Sequence, residues 1–155
     1  NNSYRKYMQK EIKDFLDKNK IMSLGTSDSD HPWLCNVYYV VDKDLHFYFL
    51  SGPETIHVKQ IEENSKVAFT ITDTHQTPAD KKKAIQAWGE AKKVTDLKKV
   101  IWFISQFTKD PSKYNAKEII KSIGRVVYEI TPVQMKFFNQ ELYEKEGGYS
   151  WIEIN

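Results

Sequence analysis

Residues 45–69 read LHFYFLSGPETIHVKQIEENSKVAF, and the pattern of apolar residues changes twice within this stretch. It opens on an aromatic run that is typical of a buried strand. Gly52-Pro53 interrupts that run, and the apolar residues after it recur at helical spacing. From Val67 onward, apolar residues alternate with small and polar ones, which predicts a second strand. The stretch therefore predicts a strand, a helix and another strand in direct succession.

The start of the predicted helix matches a known helix-capping motif. Ser51-Gly52-Pro53-Glu54 matches a capping box, with Ser51 as the N-cap and Glu54 three residues later. Pro53 is compatible with a first helical turn, because the amide that proline lacks would have no partner there. We expect the helix to run from this box to about Asn64.

The rest of the chain is mainly β-strands joined by short turns. The predicted strands are residues 21–26, 33–41, 45–50, 66–72, 82–94, 125–131, 134–138 and 149–154. The predicted helices are residues 3–19, residues 51–64, a segment from Leu97 that Asp110-Pro111 ends, and residues 116–122. Gly89 interrupts the longest strand and marks a bulge or a point of close packing. The short turns favour a mainly β fold, a small antiparallel closed or split barrel with peripheral helices, in one domain spanning residues 1–155.

The composition narrows the class of protein. The chain has 155 residues, of which 40% are hydrophobic and 14% aromatic, and this excludes an intrinsically disordered chain. A net charge of +2, with acidic residues interleaved among the lysines, argues against a nucleic-acid-binding protein. The longest apolar run, residues 33–41, is about half the length of a membrane-spanning helix. Residues 1–20 contain no signal-peptide core. We expect a soluble cytoplasmic protein with no nucleic-acid or membrane partner.

Candidate catalytic groups are few. The four histidines lie apart, and the sequence has no Walker loop, Rossmann glycine fingerprint or nucleophile elbow. Cys35 lies in an apolar strand, where a small buried thiol is the ordinary interpretation. The junction at residues 50–59 is more specific, because the free amides and the dipole of a helix N-terminus attract anions. Thr55, His57 and Lys59 add a hydroxyl and positive charge there. The alternative is an ordinary capped helix with a polar face.

At this same junction the sequence resembles a known superfamily. The segments PET at residues 53–55, QIEENSKVAF at residues 60–69 and QAWGEA at residues 86–91 are similar in order and spacing to the pyridoxamine 5'-phosphate oxidase-like superfamily, the FMN-binding split barrels. The resemblance covers about residues 21–107 and, more loosely, the C-terminal strands. It is nearest to the small, uncharacterised bacterial members.

The resemblance implies an FMN-binding homodimer with two flavin sites at the subunit interface. In these proteins the second strand lies along the isoalloxazine ring, while the end of the third strand and the start of the next helix hold the phosphate. The matching ring-side residues are Cys35, Asn36, Val37 and Tyr38, and the phosphate-side residues are Leu50, Ser51, Thr55 and His57. Lys59 is a further phosphate-side candidate from the junction itself.

The chain departs from the oxidase pattern at two charged positions. It has Cys35 where that pattern has arginine, and Ile56-His57 where the pattern has arginine and lysine. Vitamin B6 oxidase activity is therefore not expected, and no catalytic residue is assigned. Because a flavin carries its own redox chemistry, an FMN enzyme needs no acid–base triad.

The leading prediction is an FMN-binding protein, a flavin-dependent oxidoreductase acting on a small molecule that the sequence does not specify. One alternative is a haem-binding or haem-degrading split barrel, with His31, His46 or His75 as the axial ligand. Another is a dimeric, stress-related interaction protein without a cofactor. An absorbance spectrum separates the three possibilities.

Overall fold

The computed structural model describes residues 2–107 and 126–154 and places their strands in one antiparallel sheet. In chain order the elements are α1 (Asn2–Lys18), β1 (Ile21–Ser27), β2 (Pro32–Val41), β3 (Phe47–Ser51), α2 (Ile56–Glu63), β4 (Lys66–Thr72), β5 (Lys83–Lys93), α3 (Leu97–Phe107), β6 (Val126–Asn139), a 3-10 turn (Glu144–Glu146) and β7 (Tyr149–Ile152). Asp110-Pro111 and the helix predicted at residues 116–122 lie outside the described residues. Within the described ranges, no helix combines the length and the apolar character needed to cross a lipid bilayer.

The sheet closes on itself because β6 pairs with β3. Neighbouring strands follow the order β3-β2-β1-β4-β5-β6, and the β3–β6 ladder runs from the Phe47–Ile130 pair to the Ser51–Val126 pair. The second half of β6 pairs with β7 instead. Six strands thus form a closed antiparallel barrel to which a seventh strand is added, and this confirms the predicted mainly β, split-barrel class.

β6 is one strand where the sequence predicted two. Trp88 of β5 pairs with Gln134, but the next residue, Gly89, pairs with Pro132, so Val133 is an extra residue in the ladder. A bulge of this kind accommodates Pro132, which has no amide to donate to a ladder. The bulge predicted at Gly89 is confirmed, and the strand continues through it.

Aromatic and branched aliphatic side chains fill the barrel. The Phe47 ring lies between Tyr39 and Phe69, with centroids 5.5 and 4.9 Å away. Alternate residues of each strand reach this interior, because successive side chains point to opposite faces. α1 and α2 pack against the same core through Ile12, Phe15, Leu16, Val58 and Ile61. The amphipathic helix predicted near the N-terminus is therefore confirmed.

α3 covers the outer side of β3 and β6. Phe103 is buried there in a second cluster with Tyr48, and the Trp102 ring packs edge-on against Tyr48 at 5.0 Å. The Lys99 ammonium pairs with Glu129 at 2.7 Å. Apolar packing and an ion pair together hold this helix on the sheet.

The start of α2 differs from the sequence prediction. Its N-cap is Thr55 and not Ser51, and no side-chain hydrogen bond caps the helix. Ser51 pairs with Val126 in the β3–β6 ladder, which keeps its backbone in the strand. The Thr55 hydroxyl donates to the Gly52 carbonyl at 2.8 Å. The predicted capping box is therefore wrong, and residues 52–55 form a turn between β3 and α2.

β3 begins two residues later than predicted, because the turn before it is longer. The Asp42 carboxylate accepts the amides of Asp44 and His46 at 2.9 and 3.0 Å. Leu45 has a φ of 61°, in the left-handed region that leucine seldom adopts. Its side chain packs against the core, and this burial compensates in part for the backbone strain.

Gly89→Ala is expected to destabilise the fold. A Cβ at this position would lie 2.3 Å from the Thr131 carbonyl oxygen and 2.7 Å from Pro132 Cα, so β5 and β6 would have to separate. We expect a loss of about 3 kcal/mol in the free energy of unfolding, measured by urea denaturation. Gly52→Ala is the matched control, since a Cβ there meets Thr55 Cγ2 at 3.8 Å. Equal effects of the two substitutions would contradict the close approach.

Candidate functional site

Three polar side chains meet where β3 ends and α2 begins. His57 Nε2 lies 2.7 Å from Ser51 Oγ and 3.4 Å from Thr55 Oγ1. Ser51 is the last residue of β3, Thr55 is the N-cap of α2, and His57 belongs to its first turn. The short turn of residues 52–55 joins the two elements and so brings these side chains together. Three of the predicted phosphate-side residues thus form one cluster.

The N-terminus of α2 leaves backbone donors for a ligand. The first amides of an α-helix have no partner within the helix, and Thr55 does not cap them because its hydroxyl donates to Gly52. The helix dipole adds partial positive charge at the same end. An anion beside this turn would receive backbone hydrogen bonds as well as contacts from Ser51 and His57.

His57 is only 9% exposed, and burial lowers the pKa of its imidazole. Its ring lies near Phe49, with the centroids 6.3 Å apart. Because burial disfavours the charged form, the ring is neutral at neutral pH, with one nitrogen donating and the other accepting. A phosphate dianion beside the ring would reverse this preference by stabilising the imidazolium.

Two other phosphate-side candidates have different surroundings. Lys59 Nζ pairs with Glu54 Oε2 at 3.0 Å, and both side chains are exposed. The Leu50 side chain packs against the cluster of Tyr48 and Phe103 beneath α3. The charge of Lys59 is therefore partly compensated, and Leu50 contributes an apolar contact or a backbone group.

The ring-side residues alternate across β2. Asn36 and Tyr38 are exposed, and Tyr38 has 60% of its surface accessible. Val37 is buried in the core and Cys35 packs partly against it, so burial raises the pKa of the Cys35 thiol. The β2–β3 ladder covers residues 39–41 and does not extend to residues 35–38. A ligand outside the barrel could therefore reach the side chains of Asn36 and Tyr38.

A buried glutamine that sequence reasoning missed fixes α2 to the barrel. Gln60 accepts the Thr26 hydroxyl at 2.7 Å and donates to the His31 carbonyl at 3.0 Å. These bonds join α2 to β1 and to the β1–β2 turn. In that turn, hydrogen bonds from the amides of Asp30 and His31 lower the pKa of Asp28. The sequence around Gln60 gives no sign that it anchors α2, because its partner Thr26 lies 34 residues away.

A second missed cluster lies under α3. Glu129 Oε1 lies 3.3 Å from His46 Nδ1, and its carboxylate also pairs with Lys99. Burial alone would raise the pKa of Glu129, but the Lys99 ammonium and the nearby Tyr48 hydroxyl outweigh burial and lower it. The Tyr48 hydroxyl donates to Asp42 Oδ2 at 3.0 Å, and burial, together with the Glu129 and Asp42 carboxylates, raises the pKa of Tyr48. This cluster ties the β2–β3 turn, β3, β6 and α3 together.

The three histidines proposed as haem ligands lie in different settings. His31 and His75 are exposed, and His46 Nδ1 pairs with Glu129. His75 lines a cavity of about 350 Å³ between α1 and the β4–β5 turn, whose charged residues are Glu11, Asp14, Lys18, Asp73 and Lys83. Among the residues that the structure describes, no group of three or more His, Cys, Asp or Glu is placed to hold a metal ion.

The sequence profile of the pyridoxamine 5'-phosphate oxidase family matches residues 8–139. The chain belongs to this family. Among relatives of this family member, a UPF0306 protein of Klebsiella pneumoniae is 26% identical over 129 residues, which cover 83% of this chain and 82% of the relative. A UPF0306 protein of Pasteurella multocida is 35% identical over 65 residues, which cover 41% of this chain and 44% of that protein. The latter match spans less than half the length of the relative.

Solved structures share the fold of this family member at low sequence identity. Campylobacter jejuni ChuZ gives a TM-score of 0.77 at 14% identity, covering 96% of this chain and 60% of that chain. HutZ, the heme storage protein of Vibrio cholerae, gives a TM-score of 0.65 at 19% identity, and the match covers 81% of this chain and 90% of HutZ. A FAD-binding protein of Mesorhizobium loti gives a TM-score of 0.59 at 19% identity, and the match covers 81% of this chain and 89% of that protein. The same fold therefore occurs in flavin-binding and haem-storage proteins.

The free energy of unfolding is expected to decrease as the pH falls through the range just below about 6.5, where histidine is protonated in an unfolded chain. Burial lowers the pKa of His57 in the folded protein. The unfolded state therefore binds more protons in that range, and acid favours unfolding. Urea denaturation as a function of pH should show a flatter profile for His57→Gln.

His31→Gln is the control, because it removes an exposed imidazole ring. We expect this variant to keep the slope of the unmodified protein. An unchanged slope in His57→Gln would contradict a buried, neutral imidazole at this position.

Proposed function

We propose that this chain binds FMN and acts as a flavin-dependent oxidoreductase on a small molecule. The observation that carries the proposal is the meeting of Ser51, Thr55 and His57 at the uncapped N-terminus of α2. Hydroxyl, imidazole and amide donors at one point are what a phosphate monoester needs. The family match and the FAD-binding protein with the same fold support a flavin as the carrier of that phosphate.

In this proposal the phosphate is held by neutral and titratable donors. The Ser51 hydroxyl would donate to a phosphate oxygen, and the first amides of α2 would add backbone hydrogen bonds. The Thr55 hydroxyl would join them by turning away from the Gly52 carbonyl, to which it donates in this structure. His57 becomes protonated beside the dianion and adds a charge-assisted hydrogen bond, which contributes about 1.5–3 kcal/mol. Lys59 contributes less, because Glu54 competes for its ammonium.

The isoalloxazine ring would lie along β2, beside Cys35, Asn36, Val37 and Tyr38. Leu50 would contribute a backbone group on the phosphate side, because its side chain packs beneath α3. Ser23 Oγ donates to Asn36 Oδ1 at 2.8 Å, which leaves the Asn36 amide group free to donate to a ring heteroatom. Tyr38 offers an exposed aromatic face, and the buried side chains of this segment leave their backbone groups as contacts. FMN, when bound, supplies the redox chemistry, and these residues bind and orient it.

The proposed site holds its flavin more weakly than the oxidase pattern would. Cys35 and Ile56 stand where that pattern has arginines, so two fixed positive charges are missing from the site. Each missing charge-assisted hydrogen bond removes about 1.5–3 kcal/mol. The loss of two of them weakens binding by a few powers of ten.

Haem is the second candidate cofactor, because HutZ shares the fold and is a heme storage protein. Haem iron requires an axial ligand. His57 Nε2 is hydrogen-bonded to Ser51, whereas the pairing of His46 Nδ1 with Glu129 is a contact that can orient a metal-binding imidazole. The cavity beside His75 has a charged lining that does not suit a porphyrin face. The cluster of Ser51, Thr55 and His57 at the start of α2 favours the flavin as the first candidate.

We also propose that the protein works in the cytoplasm as a homodimer with the cofactor at the subunit interface. Asn36 and Tyr38 lie on the outside of the barrel, so a single chain would cover one side of a ring placed there. A second subunit would cover the other side. The expectation of no nucleic-acid partner is supported by lysines that pair with acids: Lys81 with Glu144, Lys83 with Glu141, and Lys99 with Glu129.

The absorbance spectrum of the protein, recorded after incubation with FMN or haem and removal of the unbound cofactor, tests the proposal. We expect flavin bands after incubation with FMN. A Soret band with no retained flavin would support the haem alternative. Retention of neither cofactor by protein with a folded circular dichroism spectrum would support the cofactor-free interaction protein and would overturn the proposal.

His57→Ala is expected to weaken FMN binding about tenfold, measured by quenching of flavin fluorescence. The affinity of the unmodified protein should fall as the pH rises through the titration range of His57, and the substitution should flatten this dependence. Lys59→Ala is the matched control, because that ammonium is paired with Glu54. A larger loss for Lys59→Ala than for His57→Ala would contradict the residue assignment. Unchanged affinity in both variants would rule out the anion site.

A further inference from the structure

A cavity of about 350 Å³ lies beside the last residues of β6, between α1 and the β4–β5 turn. Asn139, the last residue of β6, lines this cavity. Ser51 of the proposed flavin site pairs instead with Val126, the first residue of β6. The cavity and the flavin site therefore lie at opposite ends of a 14-residue strand. The volume suits a small molecule.

Asn139 presents an unpaired hydrogen-bond donor to this cavity. The residue is only 3% exposed, and its backbone amide and carbonyl bond to Gly148 and Tyr143. Its side-chain Oδ1 accepts the amides of Glu141 and Leu142, each at 3.1 Å. Within the described residues its Nδ2 group makes no hydrogen bond, and Tyr143 Oη is the one unpaired side-chain atom there that is sealed from solvent. The Asn139 Nδ2 group is therefore reached from the cavity and lacks an acceptor.

Two charged side chains of α1 line the cavity without an ion pair. Glu11 and Lys18 are two helical turns apart, so both lie on one face of α1, about 10 Å from each other along its axis. Neither forms a salt bridge with another residue of the described ranges. The other charged side chains of the lining have partners: Asp14 with Lys10, Lys83 with Glu141, and Asp73 with His75. The cavity thus offers one free acid and one free base.

Two aromatic rings supply an apolar wall. Phe15 and Phe137 both line the cavity and belong to the core of the barrel. Their ring centroids are 5.5 Å apart, and the rings are tilted against each other. An apolar group in the cavity can pack on these rings while polar groups face the charged rim.

We propose that this cavity binds a small zwitterion, an α-amino acid or a dipeptide with an apolar side chain. The ammonium of the ligand pairs with Glu11, and its carboxylate pairs with Lys18. The Asn139 amide donates to an oxygen of the ligand, which satisfies the unpaired Nδ2 group. The apolar side chain of the ligand packs on Phe15 and Phe137. This inference does not depend on FMN binding, so its test needs no flavin.

The lining favours a zwitterion over a ligand with charges of one sign. A dianion would meet the carboxylates of Glu11, Asp14 and Asp73. A polyamine would meet the ammonium groups of Lys18 and Lys83. Among the described residues, no group of three or more His, Cys, Asp or Glu is placed to hold a metal ion. A ligand that carries one charge of each sign matches the free acid and the free base together.

Isothermal titration calorimetry of the full chain with L-phenylalanine and with the dipeptide glycyl-L-phenylalanine tests the inference. We expect binding of at least one of them, and the tighter of the two distinguishes an amino-acid site from a dipeptide site. N-acetylation of the ligand or amidation of its carboxylate should each weaken binding at least about tenfold, because each removes one charge-assisted contact. Failure of both ligands to bind at about 10 mM would overturn the inference. Equal affinity for the blocked and unblocked ligands would also overturn it.

Substitutions in the lining assign the contacts. Glu11→Gln should abolish the loss caused by N-acetylation, and Lys18→Gln should abolish the loss caused by amidation. Asn139→Asp keeps the Oδ1 acceptor but replaces the amide donor with an oxygen, so it should weaken binding at least about tenfold.

Lys13→Gln is the matched control for Lys18→Gln, because Lys13 belongs to the same helix but lines a different cavity. We expect this variant to bind both ligands as the unmodified protein does. Folding of each variant is verified by circular dichroism. If Asn139→Asp does not fold, the two substitutions on α1 carry the test. Unchanged affinity in folded Glu11→Gln and Lys18→Gln would overturn the inference.

Discussion

The barrel depends on the close approach of β5 and β6 at Gly89. Because this residue has no side chain, the Thr131 carbonyl and Pro132 can lie against the backbone of β5. The extra residue Val133 bends β6 at the same place. Before the bend β6 pairs with β3, and after it β6 pairs with β7. One strand therefore serves two ladders on the same edge, and the six-stranded ring closes through the first of them.

Ring closure determines where the polar cluster of the candidate site lies. Ser51 is held in the β3–β6 ladder by Val126, so its hydroxyl has a fixed position at the end of β3. α2 is held from its other side, since Gln60 bonds to Thr26 and Val58 packs into the core. His57 is thereby enclosed between two anchored elements, and burial lowers the pKa of its ring and favours the neutral form. The site is thus set by long-range pairing and not by the junction sequence alone.

Local periodicity predicted most of the fold. The error at the start of α2 arose because one residue suits two different local structures. The strand predicted at residues 66–72 coincides with β4, because its alternation has no rival interpretation. Ser51 matches an N-cap in sequence, but in the structure it pairs with Val126 in the β3–β6 ladder and so belongs to the strand. At the site, Ser51, Thr55 and His57 could be predicted together because they lie within seven residues of one another. The clusters around Gln60 and Glu129 could not, because their partners are 34 and 83 residues away.

The β3–β6 ladder also bears on how the chain folds. His46 and Glu129, which lie beside its first pair, are 83 residues apart in sequence. Loop entropy must be lost before such a ladder gains its first hydrogen bond, whereas the β1–β2 hairpin closes locally. Barrels rich in non-local pairs fold in about milliseconds to seconds. We expect ring closure to be a late event, so the edges of β3 and β6 stay open to strands of other chains until β6 docks.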